Sequence, residues 1–475
     1  MAVGHLAERD AHPKHMSGVL TAVPPMAART RVLLEGAIAP TLLRLAAPNV
    51  AVMMMQALLS IADAYWVGHL GADALAGVSL VFPIIMLMQT MSAGGMGGGI
   101  ASAVARALGG GRRDDANALV VHAVVVSLVM GGLFTLGALV WGEAAYRAMG
   151  GREGALVAAL AYSNVVFAGA CAPWLYNTLG SVVRGTGNMA VPAIVMVITG
   201  VIQLVLAPTL VLGLGGAPRL GVVGAAVAMV AAFTIGAAIL AAYLLSGRSL
   251  VTPMLRRFGL RSALFADILR VGAPGALNTV LTNLTVVVLT GFVGSFGTYA
   301  LAGYGVGARL EYLQIPLVFG FGSALVAMVG TNVGAGNLAR AERIAWVGAA
   351  LAAGVTGAIG VVVALAPWLW MGLFTTEPAV LAAGSAYLRV VGPFYGFFGL
   401  GLALYFASQG AGRLAWPLIA GFLRLGIAAG GAWLVTRGFG GGLTALYVVI
   451  ALALVAFGST VAVAVYRGAW RSGRR

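Results

Sequence analysis

Residues 67–77 read VGHLGADALAG, and residues 293–303 read VGSFGTYALAG. The two stretches agree at seven of eleven positions, and each follows a proline, Pro48 or Pro274, at the same distance. Each also lies between two long apolar segments. Similar segments at a fixed offset are the sign of an internal repeat. We therefore predict that the chain contains two copies of one membrane-embedded half.

The composition is typical of a membrane protein. Of the 475 residues, 61% are hydrophobic and only 9% are charged, which is too little polar surface for a soluble globule. Apolar segments of about 20 residues cross a bilayer. Twelve such segments are predicted, at 39–66, 74–104, 116–141, 155–182, 189–212, 220–246, 264–294, 300–330, 341–370, 379–408, 414–436 and 441–466. They leave no room for a soluble catalytic domain, so we do not expect an enzyme.

The formal charge of +15 indicates the membrane topology. Lys and Arg are concentrated in every second loop, whereas the opposite loops hold only Arg147, Arg152, Arg219 and Arg437. By the positive-inside rule, both termini and the central linker are expected in the cytoplasm, with the chain in the inner membrane. This distribution explains the charge without nucleic acid as a partner, and it leaves membrane lipids with anionic headgroups as partners of the basic loops.

Each half is predicted to contain six spans, an even number, so both copies insert in the same orientation as parallel repeats. The predicted organisation is a cytoplasmic N-terminal tail at 1–37, an N-lobe at 38–246, a cytoplasmic linker at 247–263, a C-lobe at 264–466 and a cytoplasmic tail at 467–475. The glycine run at 94–99 is interpreted as a surface for close helix contact. The single cysteine, Cys171, lies in an apolar span, and neither a metal site nor a cofactor is expected.

Two acidic residues, Asp63 and Glu311, are predicted inside the membrane, where a carboxylate costs about 2.5–3.5 kcal/mol. Asp63 shares one helical stripe with Asn49, Gln56 and Ser60. The stripe must face a protein interior or an aqueous cavity, because the rest of that helix surface is apolar. A carboxyl group in this position can load and release a proton. The alternative is a structural aspartate that is hydrogen-bonded permanently to a neighbouring helix.

The second intramembrane acid, Glu311, lies two residues from Arg309, and residues two apart on a helix point to different sides. One interpretation is that Glu311 forms a structural ion pair with a residue elsewhere, for which Arg424 in span eleven is the candidate. The other is that Glu311, with Arg309 close by, forms a second titrating site.

Span seven carries a polar stripe of its own, which includes Asn278 and Thr282. By the repeat offset Thr282 corresponds to Gln56, while Leu289 occupies the position of Asp63. Only the first half keeps its acid, which suggests that cation coupling resides there. The residues predicted to line a substrate cavity are Asn49, Asn177, Asn278, Thr282, Asn283, Met53 and Tyr65. For the methionine and the tyrosine, the alternative is ordinary packing or contact with lipid.

Several motifs together resemble those of one known family of membrane proteins. They are Asp63-Ala64-x-x-Val67-Gly68, Arg184-Gly185-x-Gly187, Gly221-x-x-Gly224-Ala225-Ala226 and Gly330-x-Asn332-x-Gly334-Ala335-Gly336. From about residue 38 to 460 the chain resembles the multidrug and toxic compound extrusion (MATE) family. The resemblance implies an all-α, V-shaped, two-lobed antiporter of twelve transmembrane helices. Such antiporters export cationic or amphipathic organic compounds in exchange for H⁺ or Na⁺.

Within that family the chain resembles the DinF-like branch, whose coupling site is built around an acid on helix one that Asp63 matches. The branch usually adds an asparagine and an aspartate on helix five and a threonine on helix six. Here the matching positions hold Gln203, Ala207 and Met229. Na⁺ needs several oxygen ligands, so the loss of these donors favours H⁺ as the coupling ion. The coupling site that the resemblance implies consists of Asp63, Gln203, Ser60 and Gln56.

The sequence therefore predicts a monomeric secondary active antiporter whose partners are small organic cations or amphipathic drugs and membrane lipids. One alternative is a lipid-linked precursor flippase of the same wider superfamily, which would line its cavity with several basic residues. The other is a passive channel or a membrane protein without transport activity. A channel needs no titrating acid, which makes Asp63 an argument against it.

Overall fold

The computed structural model of the chain describes residues 28–253 and 259–471, and for several residues within 50–64 and for 312 and 316 it describes the backbone alone. Throughout the described residues the secondary structure is helical, without strands. The helices of the first half are α1 Ala28–Glu35, α2 Ile38–Gly68, α3 Ala72–Thr90, α4 Gly97–Gly109, α5 Arg113–Ala148, α6 Glu153–Ala168, α7 Cys171–Gly185, α8 Ala190–Leu212 and α9 Val222–Leu245. A π-helical turn, Met91–Met96, joins α3 to α4.

The second half repeats this order of helices. Its elements are α10 Ser262–Gly294, α11 Thr298–Gly334, α12 Leu338–Leu365, α13 Trp368–Met371, α14 Pro378–Val391, α15 Tyr395–Ala411, α16 Ala415–Trp433 and α17 Leu443–Tyr466. Short 3₁₀ or π turns follow α8, α14 and α16.

The twelve predicted spans each correspond to one helix or to one broken helix. Among the described residues, ten helical segments are long and apolar enough to cross a membrane, and α6 with α7 forms an eleventh that is bent by 47°. The 31-residue α2 coincides with the first predicted span. The all-α fold of twelve transmembrane helices in two repeats is thus confirmed, and the chain is a multi-pass membrane protein.

The repeated sequence stretch builds the same turn twice. Gly71 precedes α3 and Gly297 precedes α11, and both glycines have φ of 103°. Residues with a side chain rarely adopt such an angle, which explains why glycine stands in both copies. The last glycine of each stretch also has the same role. A Cβ on Gly77 would overlap the backbone of α6, and one on Gly303 would overlap the backbone of α14. The repeat in sequence is therefore a repeat in helix packing.

Helix α1 was not predicted, because residues 1–37 were interpreted as a tail. Leu33 in this helix is buried and joins an apolar cluster of the C-lobe. Its carbonyl oxygen accepts a hydrogen bond from Nδ2 of Asn332 at 3.0 Å. A Cβ-sized group on Gly187 of the N-lobe would also touch Leu33. The chain before the first span therefore packs against both lobes.

Candidate functional site

The predicted coupling site lies on α2 and α8. The side chains of three of its residues, Asp63, Gln56 and Ser60, lie outside the described residues, as does that of the predicted cavity residue Met53. The fourth residue of the coupling site, Gln203, is buried on α8. One turn before it, α8 approaches α2 so closely that a Cβ on Gly200 would overlap the side chain of Met55. The helices that carry Asp63 and Gln203 are therefore in direct contact.

The second half shows how the same two positions are used without an acid. By the repeat offset, Leu289 on α10 corresponds to Asp63, and Ala428 on α16 corresponds to Gln203. Leu289 and Ala428 are both buried and belong to one apolar cluster inside the C-lobe. The equivalent positions in the C-lobe are thus filled by buried apolar side chains, so an acid at this place is not a requirement of the fold.

The C-lobe holds a buried ion pair at another position. Nη2 of Arg424 on α16 lies 2.9 Å from Oε1 of Glu311 on α11, and both side chains are largely buried. The hydroxyl of Tyr387 donates to Oε2 of Glu311 at 3.4 Å. The guanidinium also lies over the rings of Phe398 and Phe457, at 5.6 and 5.8 Å from their centroids. The predicted pairing of Glu311 with Arg424 is therefore confirmed.

Arg309 does not take part in this pair. Its guanidinium lies 5.8 Å from the ring centroid of Phe374. Its side chain is exposed, whereas Arg424 is buried. This separation agrees with the expectation that residues two apart on α11 point to different sides.

Sequence reasoning missed two polar side chains near the ion pair. Tyr387 was not considered, although a tyrosine also stands at the equivalent position 162 of the first half. Gln314 follows Glu311 by one helical turn and is 1% exposed. Neither polar atom of its amide has a hydrogen-bond partner among the described residues. The spacing of Glu311 and Gln314, three residues apart, places two polar side chains on one helix face and could have indicated Gln314 from the sequence.

The predicted cavity residues fall into different surroundings. The side chain of Asn49 on α2 is hydrogen-bonded to the other lobe. Its Nδ2 donates to Oγ of Ser323 at 2.9 Å and to the carbonyl oxygen of Gly320 at 3.2 Å, both on α11. Asn177 is buried within the N-lobe, where its Nδ2 donates to Oε1 of Gln89 at 3.0 Å and to Oγ of Ser92 at 2.8 Å. The structure therefore brings Asn49, but not Asn177, to the contact between the lobes.

The remaining described cavity residues lie on α10 and at the end of α2. Asn278 is buried, and Thr282 donates to its carbonyl oxygen at 2.9 Å. Asn283 is exposed and donates to the carbonyl oxygen of Thr279 at 2.9 Å. Tyr65 is 58% exposed and packs edge to face against Trp66. That these residues line a substrate cavity stays a prediction.

The lobes meet at the end of the bundle that holds residues 106–113, 247–253, 259–263 and 334–340, which we name the linker end. Nη2 of Arg106 on α4 lies 2.7 Å from Oδ1 of Asp267 on α10. Arg106 also donates to Ser102, and Ser102 donates to the carbonyl oxygen of Gly410 at 3.2 Å. These polar contacts join the N-lobe to two helices of the C-lobe.

Glycines bring the helix backbones of the two lobes together, both within the spans and at the linker end. A Cβ on Gly95 or Gly99 would overlap the backbone of α10. The predicted role of the glycine run in close helix contact is confirmed, and the contact joins the two lobes. Further along, a Cβ on Gly109 would overlap the carbonyl oxygen of Thr331, and one on Gly334 would overlap that of Arg106. The linker end is therefore closed by direct backbone contact.

Gly334→Ala is expected to shift the lobes away from this closed arrangement. The added methyl group would overlap the carbonyl oxygen of Arg106, and overpacking of this kind costs about 1–3 kcal/mol. A cost of that size changes a two-state population by about 5- to 150-fold. Distances between spin labels on Asp114 and Ala339, both exposed at the linker end, measure the opening after Cys171 is replaced by serine.

Gly305→Ala serves as the matched control, because Gly305 lies in the same helix and a Cβ there would meet no other atom. We expect the control to keep the short distances of the parent chain. If Gly334→Ala gives the same distance distribution as the parent, backbone contact at this glycine does not hold the linker end closed.

Comparison with known proteins gives a family for this architecture. The family model described as MatE matches residues 48–209 and 274–434, one segment in each half. A probable multidrug resistance protein NorM from Deinococcus radiodurans is 31% identical over 449 residues, which cover 87% of this chain and 93% of the relative. An FAD transporter from Shewanella oneidensis is 27% identical over 383 residues, covering 79% of this chain and 82% of the relative.

Solved structures share the fold over most of the chain. A multidrug resistance MATE family transporter of the MOP superfamily, solved in an outward-facing conformation, superimposes with a TM-score of 0.85 at 25% identity. The match covers 94% of this chain and 100% of that chain. A MOP superfamily transporter from Pyrococcus furiosus, whose binding pocket is described as having reverse polarity, gives a TM-score of 0.86 at 25% identity with the same coverage.

Proposed function

The chain belongs to the MatE family, and from this membership we propose that it is a secondary active antiporter that exports cationic or amphipathic organic compounds in exchange for H⁺. The observation that carries the proposal is the asymmetry of the two halves. The first half places Asp63 in a span, whereas the second half has the buried Leu289 at that position. Relatives named as multidrug resistance proteins support the class of substrate.

The coupling ion follows from the donors that are present. Of the donors expected from the family, the sequence supplies Asp63 on α2 and Gln203 on α8, but Ala207 and Met229 supply no oxygen ligands from their side chains. A proton needs only one titrating carboxyl group, whereas Na⁺ needs several oxygens. Glu311 is a weaker candidate for the titrating group, because Arg424 already compensates its charge at 2.9 Å. We therefore assign proton coupling to Asp63.

The predicted topology and the closed linker end together indicate which state of the transport cycle this structure represents. The basic loops favour a cytoplasmic linker end with both termini on the same side of the inner membrane. With that orientation, the contacts of Arg106 and Gly334 close the cytoplasmic side, and we infer that the chain is in an outward-facing state. Proton uptake by Asp63 from the outside would then neutralise it and allow α2 to move. The lobes would next open at the linker end for the substrate.

The alternatives have less support in the arrangement of charges. A flippase for lipid-linked pyrophosphates would line its cavity with several free basic residues, but Arg424 is paired with Glu311 and the exposed guanidinium of Arg309 lies over the ring of Phe374. A passive channel would need no intramembrane acid. The FAD transporter among the relatives makes an anionic, amphipathic dinucleotide a second substrate to test.

Reconstituted protein tests the proposal directly. Proteoliposomes of the intact chain are given an imposed pH gradient, a Na⁺ gradient or no gradient, and the movement of an ethidium-type dye is followed. We expect dye movement with the pH gradient and none above protein-free liposomes without it. A response to Na⁺ alone would overturn proton coupling. If neither gradient moves the dye but one moves FAD, the proposed substrate class is wrong.

A further inference from the structure

Two adjoining cavities lie at the linker end of the C-lobe. The larger has a volume of about 460 Å³ and the smaller about 250 Å³. Arg270, Arg413 and Trp470 line both cavities, so their side chains form the boundary between them. Arg270 lies near the start of α10, Arg413 just before α16 and Trp470 just after α17. The cavities are therefore placed where three membrane-spanning helices begin or end.

The smaller cavity carries a positive charge that the protein does not fully compensate. Four arginines line it, together with the single acid Asp267. Arg106 is paired with Asp267 at 2.7 Å, and Arg471 is paired with Glu342. Within the part of the chain that the structure describes, Arg270 and Arg413 form no salt bridge. Two guanidinium groups without a carboxylate partner thus face one small space.

The larger cavity is mainly apolar. Besides the two arginines, its walls include Leu414, Leu418, Val461, Val465 and Trp416. Trp416 is 48% exposed, and Nε1 of the buried Trp470 donates to Oγ of Ser408 at 3.3 Å. Tryptophan is enriched at the level of lipid headgroups. The larger cavity therefore suits a hydrocarbon chain that enters from the membrane interface.

We propose that the two cavities together bind an anionic phospholipid. Its headgroup phosphate lies between Arg270 and Arg413, and part of an acyl chain occupies the cavity beside Leu418. Guanidinium groups bind phosphate oxygens in a bidentate manner, and basic pockets between membrane helices select anionic headgroups. A free phosphate compound would use the arginines but not the apolar cavity. The combination of both favours a lipid.

Lipid binding to the purified intact chain tests the proposal without a transport measurement. Delipidated protein in detergent is titrated with phosphatidylglycerol or phosphatidylcholine, and bound lipids are counted by native mass spectrometry. We expect phosphatidylglycerol to bind at least about tenfold more tightly, because the two arginines repel the cationic choline that accompanies the phosphate of phosphatidylcholine, and a difference of about 1.4 kcal/mol corresponds to a factor of ten. The doubly substituted R270Q/R413Q chain should lose this preference.

The matched control is the doubly substituted R219Q/R437Q chain, which removes the same charge from exposed positions in the opposite loops. It should bind both lipids as the parent does. Leu418→Trp, which fills the apolar cavity without changing charge, should weaken the binding of phosphatidylglycerol. Unchanged phosphatidylglycerol binding in both the R270Q/R413Q and the Leu418→Trp chains would overturn the proposal. Equal competition by soluble glycerol 3-phosphate would overturn the assignment to a lipid.

Discussion

Asp63→Asn is expected to reduce dye movement under a pH gradient to the level of protein-free liposomes. Asparagine has nearly the same shape as aspartate and can form similar hydrogen bonds, but it cannot take up or release a proton. The apolar cluster that holds Leu289 and Ala428 shows that the equivalent helix pair packs without an acid. The substituted chain should therefore fold and bind dye, and only gradient-driven movement should be lost.

The same proteoliposome assay supplies the measurement, and equilibrium binding of the dye shows whether the variant still recognises it. Asp73→Asn is the matched control, since Asp73 is an exposed aspartate in the first turn of α3, ten residues after Asp63. Transport by Asp63→Asn at the parent's rate would contradict the assignment of the coupling site. Loss of transport in both variants would contradict the special role of Asp63.

Arg424→Met is expected to destabilise the chain by about 3–5 kcal/mol, because it leaves the carboxylate of Glu311 buried without its partner. The E311L/R424M double substitution removes both charges and should recover most of that loss, since apolar replacements of buried ion pairs are often close to neutral. Thermal unfolding of the purified variants in one detergent gives the comparison. Arg309→Met, which removes an exposed arginine that contacts Phe374, should change stability by less than about 1 kcal/mol.

The double substitution also separates the two interpretations of Glu311. If the pair is structural, the E311L/R424M chain should unfold close to the parent and transport dye at a similar rate. A chain that is stable but inactive would show that Glu311 takes part in transport. If the double substitution is as unstable as Arg424→Met, the buried charge of Glu311 is not the cause of the loss.

Most of the fold could be predicted, because long apolar segments and internal sequence similarity directly indicate the membrane spans. The positions of the breaks inside the spans could not be predicted. Span four bends by 47° between α6 and α7, and span ten changes to a 3₁₀ turn at Gly392–Phe394. Membrane helices tolerate glycine and proline where neighbouring groups satisfy the backbone, so their presence alone does not locate a bend. Helix α1 was missed because eight residues are too few to show a helical period.

The parts of the candidate site that could be predicted are those where burying a side chain has a high cost in free energy. Glu311 and Arg424 are 113 residues apart, yet both needed a partner inside the membrane, and each was the available partner for the other. Tyr387 and Gln314 carry no charge, so nothing in the sequence required a partner for them. The position of Asn177 depended on the π-helical turn that presents Ser92, and that local geometry has no sequence period.

The backbone contact at the linker end has a property that belongs to symmetric dimers. Gly109 meets the carbonyl of Thr331, and Gly334 meets the carbonyl of Arg106. In the repeat, Thr331 is equivalent to Arg106 and Gly334 to Gly109, in each case 225 residues later. The two contacts are therefore the same contact made in both directions. An isologous interface of this kind requires a local two-fold axis that passes between the pairs. The two lobes therefore close against each other as two copies of a single half would, through a patch that is complementary to itself.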